Sequence, residues 1–316
     1  MLMLTPCLTR QFALGQSQIF VILFTLMTLG HFSASISALT VIKHKKPESE
    51  TDLRPRYFIQ LLEQALEVTR KDFGVYRIEQ HDIHMYQGRA LKLLETGRLD
   101  IVWTMTSIAR EKQVEPIRIP LMKGLLGKRM MLIHKDKLRD FSQIQTLDEL
   151  KKLSIYQGHD WPDLKILRMN GFNAHAISDY LAMFKLLNKG KYDLFPRGML
   201  EISSEIQPSV YANIVLLPNI YVSYPTAVYF FIHPSRKRLY QRIETGLKRL
   251  DKSGDFDRLL NCFPLHIQAL KDYSSQSIQE FILPNPIAPD GLPEANSPWW
   301  YQRGVFDFKQ CQVTKK

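Results

Sequence analysis

The chain has 316 residues, 45% of them hydrophobic and 23% charged, with a formal net charge of +11. That length and apolar content allow a substantial core and suggest about two domains. Its Lys and Arg residues are scattered, with no basic run interleaved with aromatic residues. This excludes a nucleic-acid groove and leaves a diffuse positive field suited to drawing an anionic ligand into a cleft.

Residues 1–37 read as a signal peptide. Arg10 is the only charge before Lys43, followed by the apolar run at 19–29 and the small-residue stretch at 33–38. Basic, apolar and small-residue regions in that order match a secretory signal cleaved near Ser35 to Ala38. The apolar run, about a dozen residues, is short of the roughly 20 that span a bilayer; an uncleaved anchor is the alternative. Cys7 precedes the apolar run and is not placed like a lipoprotein acceptor. Export puts the mature chain in an oxidising compartment, where Cys262 and Cys311 could bridge. Sequence leaves that pairing open.

The mature chain opens with a strand at 38–44, then a polar loop with two prolines at 45–56. A helix over 57–71 follows, with Leu61, Leu62, Ala65, Leu66 and Val68 at helical spacing. A strand at 75–80, a short helix at 88–97 closed by glycine, and the apolar strand 99–105 complete a β-α-β-α-β unit, the pattern of a parallel sheet. Thr106, Ser107 and Arg110 lie just beyond that last strand, at the edge where open α/β sheets bind ligands.

A second α/β unit follows. Strands are expected at 153–158, 172–177, 191–196 and 213–218, with helices at 164–170, 180–190 and 198–206. Two strand-like runs, 127–134 and 226–233, flank this unit; the first carries the chain into a second lobe and the second brings it back. Lobe 1 is then discontinuous, 38–126 plus 236–316, and lobe 2 spans 127–235. Helices at 238–251 and 254–263 end lobe 1, followed by a proline-rich tail carrying Trp299, Trp300 and Tyr301. A cleft between two lobes is a favoured ligand site. A single doubly wound domain is the alternative.

Several side chains could hold a ligand there. The Arg110 guanidinium offers a planar fork of donors matching a carboxylate or phosphate. Ser107 and Thr106 could add hydroxyls, or cap the following helix. Arg197, between Pro196 and Gly198 at a strand end, would face the cleft from the other lobe, unless Glu201 neutralises it. In the loop 158–163, Trp161 could stack on a flat ligand and Asp160 accept from an ammonium or cap the helix that Pro162 starts. Tyr57 lines the cleft or packs its helix. Trp103, among apolar neighbours, reads as core. No G-x-S-x-G, Walker or H-E-x-x-H motif occurs. His81 and His84 lack further ligands for a metal, and no cofactor is implied.

These segments resemble a known family. MTSIAREKQVEPIRIP, TLDELKKLSIYQG, LLNKGKYDLF and LYQRIETGLKRLDKSGDFDRLL are similar, in order and spacing, to segments of the family-3 bacterial extracellular solute-binding proteins. The resemblance implies an α/β, two-lobed type II periplasmic-binding-protein fold, its lobes joined by two crossing strands around a cleft. It makes Arg110 the clamp for a ligand carboxylate. The chain departs from the polar amino-acid binders at Ser107 to Ala109, which lack the family's proline, at the loop 158–163, and at Arg197, near the place of the usual aspartate for the ligand's amino group.

The expected function is that of a non-catalytic, monomeric periplasmic binding protein. It would trap a small anionic solute, amino acid-like or carboxylate, by hinge closure and deliver it to a membrane permease of an ABC transporter. One alternative is an accessory protein presenting its ligand to a membrane sensor domain. Another is an enzyme on the same fold, such as a dehydratase, for which His159, Asp160 and Glu201 would be the acid and base candidates.

Overall fold

The computed structural model of the chain describes residues 39–206 and 209–312. The expected signal peptide, with Arg10 and Cys7, lies outside the described residues. No helix among the described residues is long and apolar enough to cross a membrane.

The first sheet begins with β1 (Thr40–Lys46), in which Val41 and Ile42 favour extended backbone. It pairs in parallel with β2 (Tyr76–His84) through the helix Pro55–Glu67. Pro55 starts that helix where its missing N–H costs nothing, and Tyr57, Phe58, Leu61, Leu62, Ala65 and Leu66 form its buried stripe. The stripe packs on the helix Lys237–Ser253. Gly246 sets how close they come, since a β-carbon there would lie 2.1 Å from the Ala65 carbonyl oxygen. Strand β3 (Ile101–Met105) is buried along its whole length, as a strand covered on both faces should be. Strand β4 (Glu115–Ile117) completes this part of the chain.

The second sheet contains β5 (Lys128–His134), β8 (Phe195–Gly198), β9 (Ile214–Ser223) and β11 (Gln279–Ile282), in the order β11-β9-β5-β8. A parallel pair, β6 (Ser154–Gly158) and β7 (Asn173–Ile177), adjoins it through a bridge between Ile155 and Leu194. Strand β10 (Val228–Ile232) belongs to the first sheet, whose order is β2-β1-β3-β10-β4.

Several sequence expectations shift here. Residues 228–235, assigned to lobe 2, hold β10, which pairs antiparallel with β3 and β4. Five consecutive buried apolar residues suit the centre of that sheet. In turn β11, from the segment assigned to lobe 1, pairs with β9. The strand expected at 191–196 runs instead from Phe195 to Gly198. It is an edge strand, so Pro196 can sit in it without a ladder N–H being missed. The expected helix 198–206 shrinks to the single turn Ile202–Glu205.

The first two crossings between the sheets, from β4 to β5 and from β9 to β10, run side by side. Tyr224 N–H donates to the Gly127 carbonyl at 3.2 Å and Leu121 N–H to the Val228 carbonyl at 2.9 Å. A β-carbon on Gly127 would meet the Tyr224 carbonyl oxygen at 2.3 Å. The tail then lies along both crossings. Leu283 N–H bonds the Ser223 carbonyl at 2.7 Å, and Tyr301 N–H bonds the Lys123 carbonyl at 2.9 Å. Asn285 Nδ2 reaches the Pro225 carbonyl at 2.8 Å. Cys262, ending the helix Asp255–Cys262, and Cys311 form a disulfide that holds the tail down.

Candidate ligand-binding site

Between the sheets lies a cavity with an empty volume of about 860 Å³, its mouth included. Strand β1 supplies Lys45, the loop after it Glu48, Asp52 and Arg54, and β3 supplies Trp103 and Thr104. Opposite them stand Arg129 on β5, Arg197 on β8, Glu201 in the turn beyond, and Trp161 and Asp163 at the start of the helix Pro162–Met169. Phe58, Phe263 and His266 add flat apolar faces.

Three guanidinium groups, Arg129 and Arg197 buried and Arg54 half-buried, converge on this space from separate elements. Arg54 forms a two-pronged pair with Asp52, at 2.7 Å from Nε to Oδ1 and 3.0 Å from Nη2 to Oδ2, and lies 4.4 Å from the centre of the Tyr180 ring. Arg129 reaches Asp163 at 2.5 Å and donates to the Tyr224 hydroxyl at 2.9 Å. Arg197 pairs with Glu205 at 2.8 Å and 2.5 Å and stacks on Trp161 at 4.6 Å. Burial pulls the Arg197 pKa down, but Glu201 and Glu205 together lift it above the ordinary arginine value. Burial raises the Glu201 carboxyl, yet Arg197, Arg54 and Arg129 outweigh it and hold Glu201 below its ordinary value. Glu205 is raised, by burial first and then by facing Glu201. His266, packed against the Tyr57 and Phe263 rings, is pushed down to about 4 by burial.

The sequence-predicted residues divide between cavity and scaffold. Arg197 and Trp161 line the cavity; Trp161 packs its indole on Arg197 and needs Gly158, where a β-carbon would meet the ring at 2.5 Å. Arg110 is buried beside the cavity, with its donors directed to protein acceptors. Nη1 donates to Thr104 Oγ1 at 2.7 Å and the Met105 carbonyl at 2.9 Å; Nη2 donates to Gln87 Oε1 at 3.0 Å and the Asp160 carbonyl at 2.9 Å. Burial lowers its pKa to about 10, partly offset by Asp160 and Asp163. Ser107 caps the short helix Ile108–Glu111 by accepting from Arg110 N–H at 3.3 Å. Thr106 donates to Glu111 at 2.5 Å. Asp160 is not the cap of the next helix, a place taken by Trp161 without a side-chain bond; its carboxylate accepts from Gly88 N–H at 2.7 Å, joining the two lobes. Tyr57 is core, donating to the Leu121 carbonyl at 2.7 Å.

Sequence reasoning passes over Arg54 and Arg129: Arg54 stands in a polar loop, and Arg129 follows Lys128 at the start of the strand KRMMLIH, where two adjacent charges read as exposed. His159, offered for acid–base chemistry, is exposed with its ring edge-on to Tyr86. Among the described residues, no group of His, Cys, Asp and Glu is arranged to hold a metal ion.

No protein-family model matches the chain, and no curated protein matches it in sequence. Solved structures do match in fold. An amino acid ABC transporter substrate-binding protein from Streptococcus pneumoniae, bound to L-arginine, is 15% identical over 71% of this chain and 92% of its own, with a TM-score of 0.53. A histidine kinase sensor domain with similarity to periplasmic binding proteins is 16% identical over 70% and 93%, with a TM-score of 0.52. An ancestral amino acid-binding protein, a precursor of cyclohexadienyl dehydratase, is 18% identical over 75% and 97%, with a TM-score of 0.50. The chain has the α/β, two-lobed type II periplasmic-binding-protein fold.

Proposed function

We propose that the chain is a non-catalytic, exported binding protein that holds a small organic solute bearing an anionic group, amino acid-like or carboxylate. The observation behind this reading is the convergence of Arg54, Arg129 and Arg197 on one cavity that also offers aromatic faces at Trp103, Phe58 and Phe263. Guanidinium groups set specificity for an anion, and the flat apolar walls take the body of the solute. Arg110 supports the site from behind rather than clamping the solute. Lobe closure would follow binding as a shift between open and closed populations, and the Asp160–Gly88 bond already made at the rim would belong to the closed form.

A membrane permease would receive the solute, in keeping with the transporter protein of the same fold. Presentation to a sensor domain is the second reading, favoured by the likeness to the kinase sensor domain. The dehydratase reading would draw on Glu201 and Glu205, whose pKa values are pushed apart; product formation from a bound solute would replace the binding reading with it.

The test is a thermal-shift screen of the mature chain with amino acids, dicarboxylates and phosphorylated metabolites. A ligand at about 100 times its Kd should stabilise by about 2.7 kcal/mol, which at this chain length raises Tm by about 5–10 °C. Stabilisation only by control solutes that lack a carboxylate or phosphate, such as amines and amino acid amides, with none by solutes that carry one, would end this reading.

A further inference from the structure

Each cavity arginine has a carboxylate of its own: Asp52 for Arg54, Asp163 for Arg129 and Glu205 for Arg197. Glu201 is placed differently. Its carboxylate lies 3.2 Å from Arg197, 3.4 Å from Arg54 and 3.6 Å from Arg129, and it accepts from Gly198 N–H at 2.9 Å. It is the closest partner of none of the three and within reach of all of them. Its side chain keeps 14% exposure, on the cavity wall, against 3% for Asp52, 6% for Asp163 and 2% for Glu205.

The chain makes room for this carboxylate. A β-carbon on residue 198 would stand 2.7 Å from Glu201 Oε2 and 2.9 Å from Leu126 Cδ1. Glycine there lets the carboxylate fold back onto the strand end. Several guanidinium groups and a backbone N–H around one carboxylate form the donor set that recognises a carboxylate ligand. In this structure the chain fills that position itself.

We propose that Glu201 is a resident stand-in for the solute's anionic group, occupying the anion position of the cavity until a solute carboxylate displaces it. This rests on the reading of the cavity as an anion-binding site. Two carboxylates cannot share the position, because like charges so close repel in a poorly solvated space. Glu201 therefore sets the threshold for binding. Simple monocarboxylates fail to displace it, and a solute must add contacts of its own against the aromatic walls.

The test uses Glu201→Ala and Glu201→Gln in the mature chain, with sodium acetate and sodium succinate as probes and sodium chloride at equal ionic strength as reference. Wild type should melt alike in acetate and chloride. The Ala variant should show a saturable rise in Tm with acetate, which refills the vacated position. The Gln variant, which keeps the shape without the charge, should bind succinate about tenfold or more tightly than wild type by titration calorimetry. Identical melting of the Ala variant in acetate and chloride would overturn the proposal, as would Gln binding succinate no more tightly than wild type. If the Ala variant does not fold, the succinate titration of the Gln variant decides. An anionic solute that binds wild type and is unaffected by Gln removes the role of Glu201 but leaves the binding function standing. Acetate refilling the Ala variant while no anion in the screen binds wild type removes the binding function but leaves the Glu201 position standing.

Discussion

Arg110→Met separates a guanidinium that clamps solute from one that braces the fold. Methionine keeps much of the length and removes every donor. Four hydrogen bonds disappear, to Thr104, Met105, Gln87 and Asp160. At about 1.5 kcal/mol for each bond to a charged group, the loss comes to about 6 kcal/mol. Against this, burial has lowered the arginine pKa from 12.5 to about 10, so holding the charge there costs about 3 kcal/mol that methionine avoids. The net destabilisation is about 3 kcal/mol, read as a Tm lower by about 6–12 °C. Urea unfolding followed by circular dichroism, with the disulfide intact, measures it. Solute binding should weaken only modestly, because Arg54, Arg129 and Arg197 remain. A variant as stable as wild type that has lost all binding of a carboxylate solute would refute this reasoning and restore Arg110 as the clamp.

Two further outcomes follow from buried groups elsewhere. His266 has its folded pKa depressed to about 4 from 6.5, so its contribution is present above pH 6.5 and is lost as pH falls towards 4, while the unfolded chain takes up the proton. That loss is about 3 kcal/mol; urea midpoints at pH 7 and pH 4 should therefore fall less in His266→Phe than in wild type, and equal falls would contradict the assignment. Replacing both Cys262 and Cys311 by serine opens a cross-link between residues 49 apart, which the loop-entropy relation values at about 4 kcal/mol. Both thiols reacting with iodoacetamide in the unreduced wild-type chain would show that no bridge exists.

Much of the fold was legible because strands and helices here follow their hydrophobic periods. The stripe from Tyr57 to Leu66 and the buried run at Ile101 to Met105 each point to one element type. Sheet membership was not legible, because β10 is a short apolar run and β11 a short, half-polar one, and the partners of both are fixed by tertiary pairing. At the site, Arg197 and Trp161 were found from the turn residues around them, and Glu201 as a neighbour able to neutralise Arg197. Arg110 was found for its chemistry, but its fork is filled by carbonyls and side chains that only the fold brings near. Arg129 was hidden because Lys128 precedes it, and a basic pair at a strand start reads as solvent-facing. The network of arginines and carboxylates is long-range, with Arg54 and Glu201 separated by 147 positions.

The strand order also constrains how the chain can be made. The polypeptide visits the first sheet, then the second, returns to the first for β10 and reaches the second again with β11. A growing chain therefore completes neither sheet early. Until residues 279–282 have been synthesised, the long strand β9 stands as an open edge, a template for pairing with other chains. Truncation ahead of β11 should yield aggregates rather than a smaller folded unit, and neither lobe can be produced as one uninterrupted segment.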